Sequence, residues 1–512
     1  MVIREMSTPK AAVKRGHRKL INLLRGWPNP ALLPTKLMRE AADAVFADKD
    51  VAIPALLYGP DEGDARLRRE LAKWLTEFYA DYLQEPIGAD RLAITGGASQ
   101  NLACLLQTFT DPEYTRNIWI VAPSYFLAFR IFNDAGFGAK LRAVPEGDTG
   151  IELDYLEREI RKSEDEAVRR GNAKPAFKVP TPWGKVYKHV IYAVPTFSNP
   201  SSKTMIASRR VDLVRLARRY DALIVTDDVY DQLQWPSARE AAAQDDAQPS
   251  GQKDMTRAQD ARIVDVDRYL DGGPDRPGAD GFGNAASNGS FSKIAGPGMR
   301  TGWCEGSPKL AYGVSQTGSS RSGGAPSQIA ANFLAEALAR GALQKHVDVV
   351  LRPALARRHA LMMDAVREHL VPLGVRLPQD GRRVAGGYFV WLRLPPRIKA
   401  NLLARRCKDT HNLIVADGAM FEVPGDAHPS IHHQVAEDAV AAGGSSEAPT
   451  SFPYDVRLCF AWEEEDALEE GVERLAEVIQ SMLDEPEGVN PNVKRSSFGE
   501  TDRVPMDVSS FQ

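Results

Sequence analysis

Residues 289–303 read GSFSKIAGPGMRTGW. One lysine, Lys293, stands among small hydroxyl residues, and Arg300 follows seven positions later, just after a Pro-Gly pair. A lysine that bonds covalently to a carbonyl compound must reach it from a rigid, crowded backbone. Ser290 and Ser292 can offer hydroxyls to a phosphate, and Arg300 can grip one with two parallel charge-assisted bonds. A lone SxSK is commonly a solvated lysine in a flexible loop. With PGxRxGW attached, a built site is the better reading.

Outward from this segment, helical and strand patterns alternate. Leu67 to Tyr82 has helical spacing, Arg91 to Thr95 reads as a short strand, and Gly96-Gly97 opens a helix from Ala98 to Thr108. Asn117 to Ala122, Val190 to Val194 and Leu223 to Thr226 are apolar runs of buried-strand length, with a helix from Arg209 to Tyr220 between the last two. This βαβα rhythm predicts an α/β fold: a mostly parallel central sheet sandwiched by helices. A long helix from Ala330 to Leu351 is expected to lead into a smaller α+β domain, with Gly387 to Leu394 and Val456 to Trp462 as strands. Residues 237–289 and 425–451 break the rhythm. Both are too polar to bury much and read as mobile surface insertions, the first carrying an apolar island at Ile263 to Leu270. The expected domains are an N-terminal arm contributing to the small domain (1–45), a large domain (46–335), a small C-terminal domain (336–485) and a disordered tail (486–512).

The motif GSFSKIAGPGMRTGW resembles the cofactor-lysine segment of fold-type I pyridoxal 5'-phosphate (PLP) enzymes in the class I/II aminotransferase family. It is most similar to the subgroup containing kynurenine and 2-aminoadipate aminotransferases, and the two insertions are similar to those of fungal members. The resemblance runs from about Ile21 to Ile479. It implies that Lys293 holds PLP covalently and serves as acid and base, with Ser290, Ser292 and Arg300 on the phosphate.

The other motifs follow the same resemblance. An aspartate closing a buried strand is costly unless paired. In IVTDDVY the family spacing to Tyr230 selects Asp227 over its rival Asp228 as the partner of the protonated ring nitrogen, which keeps the ring an electron sink. Tyr230 then matches the tyrosine on the ring oxygen. Asn199 in PTFSNPSS matches a second ligand of that oxygen and a substrate contact, although the family usually reads NPTG where this chain has NPSS. Gly97, Ala98 and Ser99 in TGGASQNL resemble the phosphate loop at a helix N-terminus, where free N–H groups and the dipole favour an anion. Tyr125 in APSYF matches the aromatic that stacks on the ring. Tyr58, near Gly63 in LLYGPDEG, matches a tyrosine that reaches the neighbouring subunit's phosphate, so the resemblance implies a homodimer with shared sites. Arg457 in DVRLCFAW and Gly26 in LLRGWPNP match substrate contacts, Arg457 gripping the α-carboxylate. Trp27, Tyr58 and Tyr388 are candidate pocket walls.

The implied reaction moves an amino group from an L-amino acid (aromatic, 2-aminoadipate-like or apolar) to a 2-oxo acid by a ping-pong route. A C–S β-lyase on the same scaffold is the alternative, since both begin by removing the Cα proton. A non-catalytic, aminotransferase-like regulator is the remote one: it needs roughly 60 residues of DNA-binding module upstream, more than the stretch before Ile21 holds. The bulk numbers agree with an enzyme. The net charge of −4 gives no reason to expect nucleic acid or an anionic membrane, and no apolar run reaches membrane-span length. The four cysteines have no metal-like spacing, and no metal is expected. The basic N-terminus lacks a signal-peptide core. The cytoplasm is the expected compartment, with a mitochondrial address left open by the scarcity of acidic residues there.

Overall fold

The computed structural model describes residues 18–236, 260–324, 326–377, 384–424 and 449–485. Its centre is an eight-stranded sheet. From one edge to the other the strands are Leu92–Thr95, Gly302–Glu305, Ala285–Ser290, Ala222–Asp227, His189–Ala193, Asn117–Ala122, Leu141–Gly147 and Gly150–Ile151. The strands from Ala285–Ser290 through Leu141–Gly147 pair in parallel. Gly302–Glu305 runs against both its neighbours, and Gly150–Ile151 turns back on the end of Leu141–Gly147. Asn117–Ala122 and His189–Ala193 are largely apolar and buried throughout because helices cover both faces of the sheet.

The helices form where their apolar spacing demands a buried face. Ala65–Phe78 is capped by Asp64, whose side chain accepts from Leu67 N at 2.7 Å. It buries Leu67, Leu71, Trp74, Leu75 and Phe78 along one stripe. A second sheet of Phe389–Arg393, Asp455–Cys459 and Ala416–Asp417 packs with helices Arg352–Ala365, Ala400–His411 and Glu465–Leu483. The arm joins this second layer: Ile21–Asn22 pairs in parallel with Leu413–Ile414.

Three expectations change. Residues 260–289 are part of the fold rather than a mobile insertion. The apolar island becomes helix Ile263–Tyr269, and Ala285–Ser290 is a central strand. Polar residues are buried there because they pair: Arg262 donates to Asp265 at 2.8 Å and to Glu305 at 2.7 Å, and Arg218 to Asp267 at 3.0 Å. The long helix expected at Ala330 to Leu351 is broken into Gln328–Ala339 and Ala342–His346. Gly341 stands between them at φ 63°, a left-handed conformation that ends a helix. The expected domain limits at 45/46 and 335/336 fall inside helices Thr35–Ala47 and Gln328–Ala339, which pack on one another. Residues 1–17, 237–259, 425–448 and 486–512, with the first part of the insertion expected at 237–289, most of that at 425–451 and the tail, lie outside the described residues.

Candidate active site

A parallel sheet presents its strand ends on one rim, and ligands of such folds bind there. Asp227 closes Ala222–Asp227, and the chain leaving His189–Ala193 reaches Asn199 six residues on. Ser290 closes Ala285–Ser290, and the following turn, Phe291–Lys293, delivers the lysine. Thr95 leads through Gly96-Gly97 into helix Ala98–Phe109, and Ala122 leads to Tyr125. Strand ends of the sheet therefore bring most of the sequence-derived residues to one rim.

Lys293 Nζ donates to the Gly26 carbonyl at 2.8 Å and lies 5.0 Å from the ring centre of Tyr388 and 5.8 Å from that of Tyr230. The Tyr388 hydroxyl donates to the Lys293 carbonyl at 3.3 Å, which ties the lysine backbone to the second layer. Burial pushes the Lys293 ammonium down to about 8, against the opposing pull of Cys459 and Asp227. Burial pushes the Asp227 carboxyl up to about 7, although the Tyr192 hydroxyl, donating to Oδ2 at 3.1 Å, opposes this. The other oxygen, Asp227 Oδ1, is buried without a hydrogen-bond partner. Asp228 turns elsewhere: its Oδ2 accepts from the Thr226 and Ser287 hydroxyls, and its charge answers Arg262 and Arg210.

Arg300 lies against the glycine turn, donating from Nη2 to the Gly96 carbonyl at 3.1 Å and from Nη1 to Pro297 O at 2.9 Å. Gly97 has φ 107°, a backbone conformation that L side chains rarely adopt, and an added Cβ would stand 3.0 Å from Arg300 Nη2, so the turn favours glycine. The Ser290 hydroxyl donates to that of Ser292 at 2.9 Å and accepts from Ser292 N at 3.1 Å, which holds the turn into Lys293. Asn288 donates to Ala98 O and accepts from Asn101, joining helix Ala98–Phe109 to the lysine strand.

Arg457 faces the same space from the second layer. Nη1 donates to Asn199 Oδ1 at 2.8 Å and Nη2 to Leu24 O at 2.5 Å, while the guanidinium lies 4.0 Å from the Phe389 ring and 4.8 Å from that of Phe421. Its Nε is buried without a partner. Burial pulls it down to about 10. Gly26 is packed so closely that an added Cβ would stand 2.8 Å from Phe389 Cζ. Tyr230 is buried beside Tyr388 and Phe389, and Tyr125 near Asp227 is pushed up to about 12 by burial.

Other candidates stand apart. Tyr58 is 87 % exposed beside Gly323, whereas Ser99, though exposed, stays in the first turn of helix Ala98–Phe109 next to Gly97. Trp27 is 40 % exposed and packs edge-on against Trp462, with Arg25 4.8 Å from its ring, which makes it at most a rim residue here. Gly63, at φ 92°, packs on Ile94. Sequence reasoning missed Tyr192, Phe389, Phe421 and the carbonyls of Leu24 and Gly26. The aromatics read as ordinary core residues, and no side-chain pattern reports which backbone carbonyl will face a site.

These groups fit a phosphorylated pyridine aldehyde: a buried amine for the aldehyde, a buried acid with one empty oxygen for the ring nitrogen, and a glycine turn with an arginine for the phosphate. The comparisons with known proteins agree. The family model "Aminotransferase class I and II" matches residues 29–475, and the chain belongs to that family. It is a PLP-dependent transaminase with a fold-type I architecture. Among its relatives, the uncharacterized protein YER152C of Saccharomyces cerevisiae is 33 % identical over 422 residues, covering 80 % of this chain and 90 % of that one. Aromatic-amino-acid aminotransferase 1 of Thermococcus litoralis is 27 % identical, covering 91 % and 89 %. The structure of Pyrococcus horikoshii kynurenine aminotransferase, in complex with PMP and with KYN and KYA as substrates and products, superimposes with a TM-score of 0.66 at 26 % identity, covering 92 % and 93 %.

Proposed function

We propose that this transaminase acts on L-amino acids with aromatic, 2-aminoadipate-like or medium apolar side chains, and that Lys293, Asp227 and Arg457 carry the reaction. The observation that carries this reading is the convergence of Lys293 from the sheet rim and Arg457 from the second layer on one buried space that Asn199 and the arm carbonyls also border. Bound PLP supplies an electron sink for the charge that develops at the substrate Cα. Arg457 receives the substrate α-carboxylate, its Nη groups exchanging Leu24 O for the stronger charged acceptor. The Phe389 and Phe421 rings hold the guanidinium plane and keep water from it. Lys293, its amine pKa lowered by burial, would take the proton from the substrate Cα and deliver it to the cofactor's C4' carbon. Asp227 holds the ring nitrogen through Oδ1, Tyr230 and Asn199 hold the ring oxygen, and Tyr125 covers the ring face. Gly97, Ala98, Ser99, Ser290, Ser292 and Arg300 hold the phosphate. Gly26 lines the substrate side.

The relatives with curated activities support the substrate range, being an aromatic-amino-acid and a 2-aminoadipate transaminase. The exposed Tyr58, in a stretch with exposed Leu56 and Leu57, supports a homodimer in which this ring reaches the partner's site. Among the described residues no helix is long and apolar enough to cross a membrane, and a cytoplasmic enzyme of amino-acid metabolism is the proposed setting. The test is a half-reaction screen: the yellow enzyme is mixed with single amino acids and the visible band is followed. Bleaching by aromatic amino acids or 2-aminoadipate, restored by a 2-oxo acid, supports the reading. Release of pyruvate and ammonia from a cysteine conjugate without an oxo acid would establish a lyase instead.

A further inference from the structure

Asp227 is held from only one side. The strand His189–Ala193 runs parallel to Ala222–Asp227, with Tyr192 opposite Val225 and Ala193 opposite Thr226. Side chains alternate along a strand, so Tyr192, Val225 and Asp227 share a sheet face, and a long aromatic can reach the diagonal neighbour. The Tyr192 hydroxyl does so, donating to Asp227 Oδ2 at 3.1 Å. The ring is 1 % exposed and is wedged edge-on against Phe132, with centroids 5.6 Å apart, so the phenol has a fixed direction. Burial and the neighbouring carboxylate push this phenol well above its ordinary range, and it stays a proton donor. Among the described residues Asp227 Oδ1 has no hydrogen-bond partner.

From this geometry we infer that Tyr192 is a positioning residue for the cofactor: by holding Oδ2 it presents Oδ1 to the pyridine nitrogen. The inference rests on the reading of Asp227 as the ring-nitrogen partner. Two effects follow from one hydrogen bond. The carboxylate is restrained about its last torsion, and its charged form is favoured in surroundings that would otherwise hand it a proton. A tyrosine that merely fills the core would provide neither.

The test compares holoenzymes of wild type, Tyr192→Phe, Asp227→Asn and the double variant, following cofactor release as decay of the visible band after dilution into a trapping agent. Phenylalanine keeps the ring against Phe132 and removes only the donor. A hydrogen bond to a charged group sets the scale, and Tyr192→Phe is expected to release cofactor about tenfold faster than wild type. The double variant is expected to release it no faster than Asp227→Asn. The kcat for the amino-acid half-reaction falls by a similar factor, while KM, set by the untouched Arg457, holds. If Asp227→Asn releases at the wild-type rate, the assignment of Asp227 itself fails. If Asp227→Asn is fast and Tyr192→Phe is unchanged, only the role of Tyr192 fails. Equal acceleration by Tyr192→Phe in both Asp227 backgrounds would also overturn it, since packing rather than the carboxylate would then be the route.

Discussion

The two halves of the proposed site, one for the cofactor and one for the substrate, are built differently. The cofactor half is local. Gly97, Tyr125, Asn199, Asp227 and Lys293 each lie within a few residues of a strand end, and the sheet sets their spacing. The substrate half is remote. Arg457 meets Asn199 across 258 residues of chain and Leu24 across 433, and Lys293 meets Gly26 across 267. The cofactor side therefore inherits the stiffness of a hydrogen-bonded sheet, whereas the substrate side depends on how the arm and second layer dock. Damage to the first should abolish chemistry, and damage to the second should change which substrate is held and how tightly.

The largest expected effect lies in the cofactor half. Lys293→Ala removes both the covalent link and the proton carrier, and turnover should fall by on the order of 10⁴-fold with loss of the bound cofactor's visible band. An unchanged spectrum in that variant would sink the assignment. Next comes Arg457→Gln, which leaves every proposed cofactor ligand in the chain and removes only the Nη1 contact to Asn199 on that side. The visible band should persist while kcat/KM for every amino acid falls about 100-fold, the scale of unpairing a buried carboxylate from its arginine. Loss of the band there would mean that the halves are not separable.

Smaller still is Gly26→Ala. The added methyl meets Phe389, which stacks on Arg457, so the arm or the ring must shift. We expect KM to rise several-fold with cofactor release unchanged. The smallest effect is one of rate against pH. Only the unprotonated Lys293 amine has a lone pair to bond a carbonyl, and burial lowers its pKa. The rate at which cofactor-free protein takes up PLP should therefore climb with pH through about 8 and level off above it. A rise delayed to the range of an ordinary lysine, about 10.4, would show the amine to be solvated.

The legibility of the molecule follows the same division. The strands Asn117–Ala122, His189–Ala193 and Ala222–Asp227 could be read to within a residue because both-face burial demands unbroken apolar runs. Ala285–Ser290 could not. Its sequence AASNGS has no large apolar residue, and it is buried because small side chains let Asp228, Asn101 and the Trp303 ring approach closely. Residues 260–284 looked like surface for a related reason: the charges of Arg262, Asp265 and Asp267 are cancelled by partners up to 49 residues distant, which no local hydropathy reports. Tyr192 is indistinguishable in sequence from any core tyrosine until the neighbouring strand places Asp227 beside it.

The sequence by itself marked the residues proposed for the chemistry of this protein. Lys293, Arg300, the Gly96-Gly97 turn and Asp227 are adjacent to elements whose ends the local pattern marks, and the covalent chain holds each motif together whatever the rest does. Tertiary structure alone decided what surrounds those groups. It set which carbonyls face Lys293 and Arg457, which oxygen of Asp227 stays empty, and which rings flank the guanidinium. Those relations arise where segments hundreds of residues apart pack together, and burial there shifts the proton affinities of Lys293, Asp227 and Arg457.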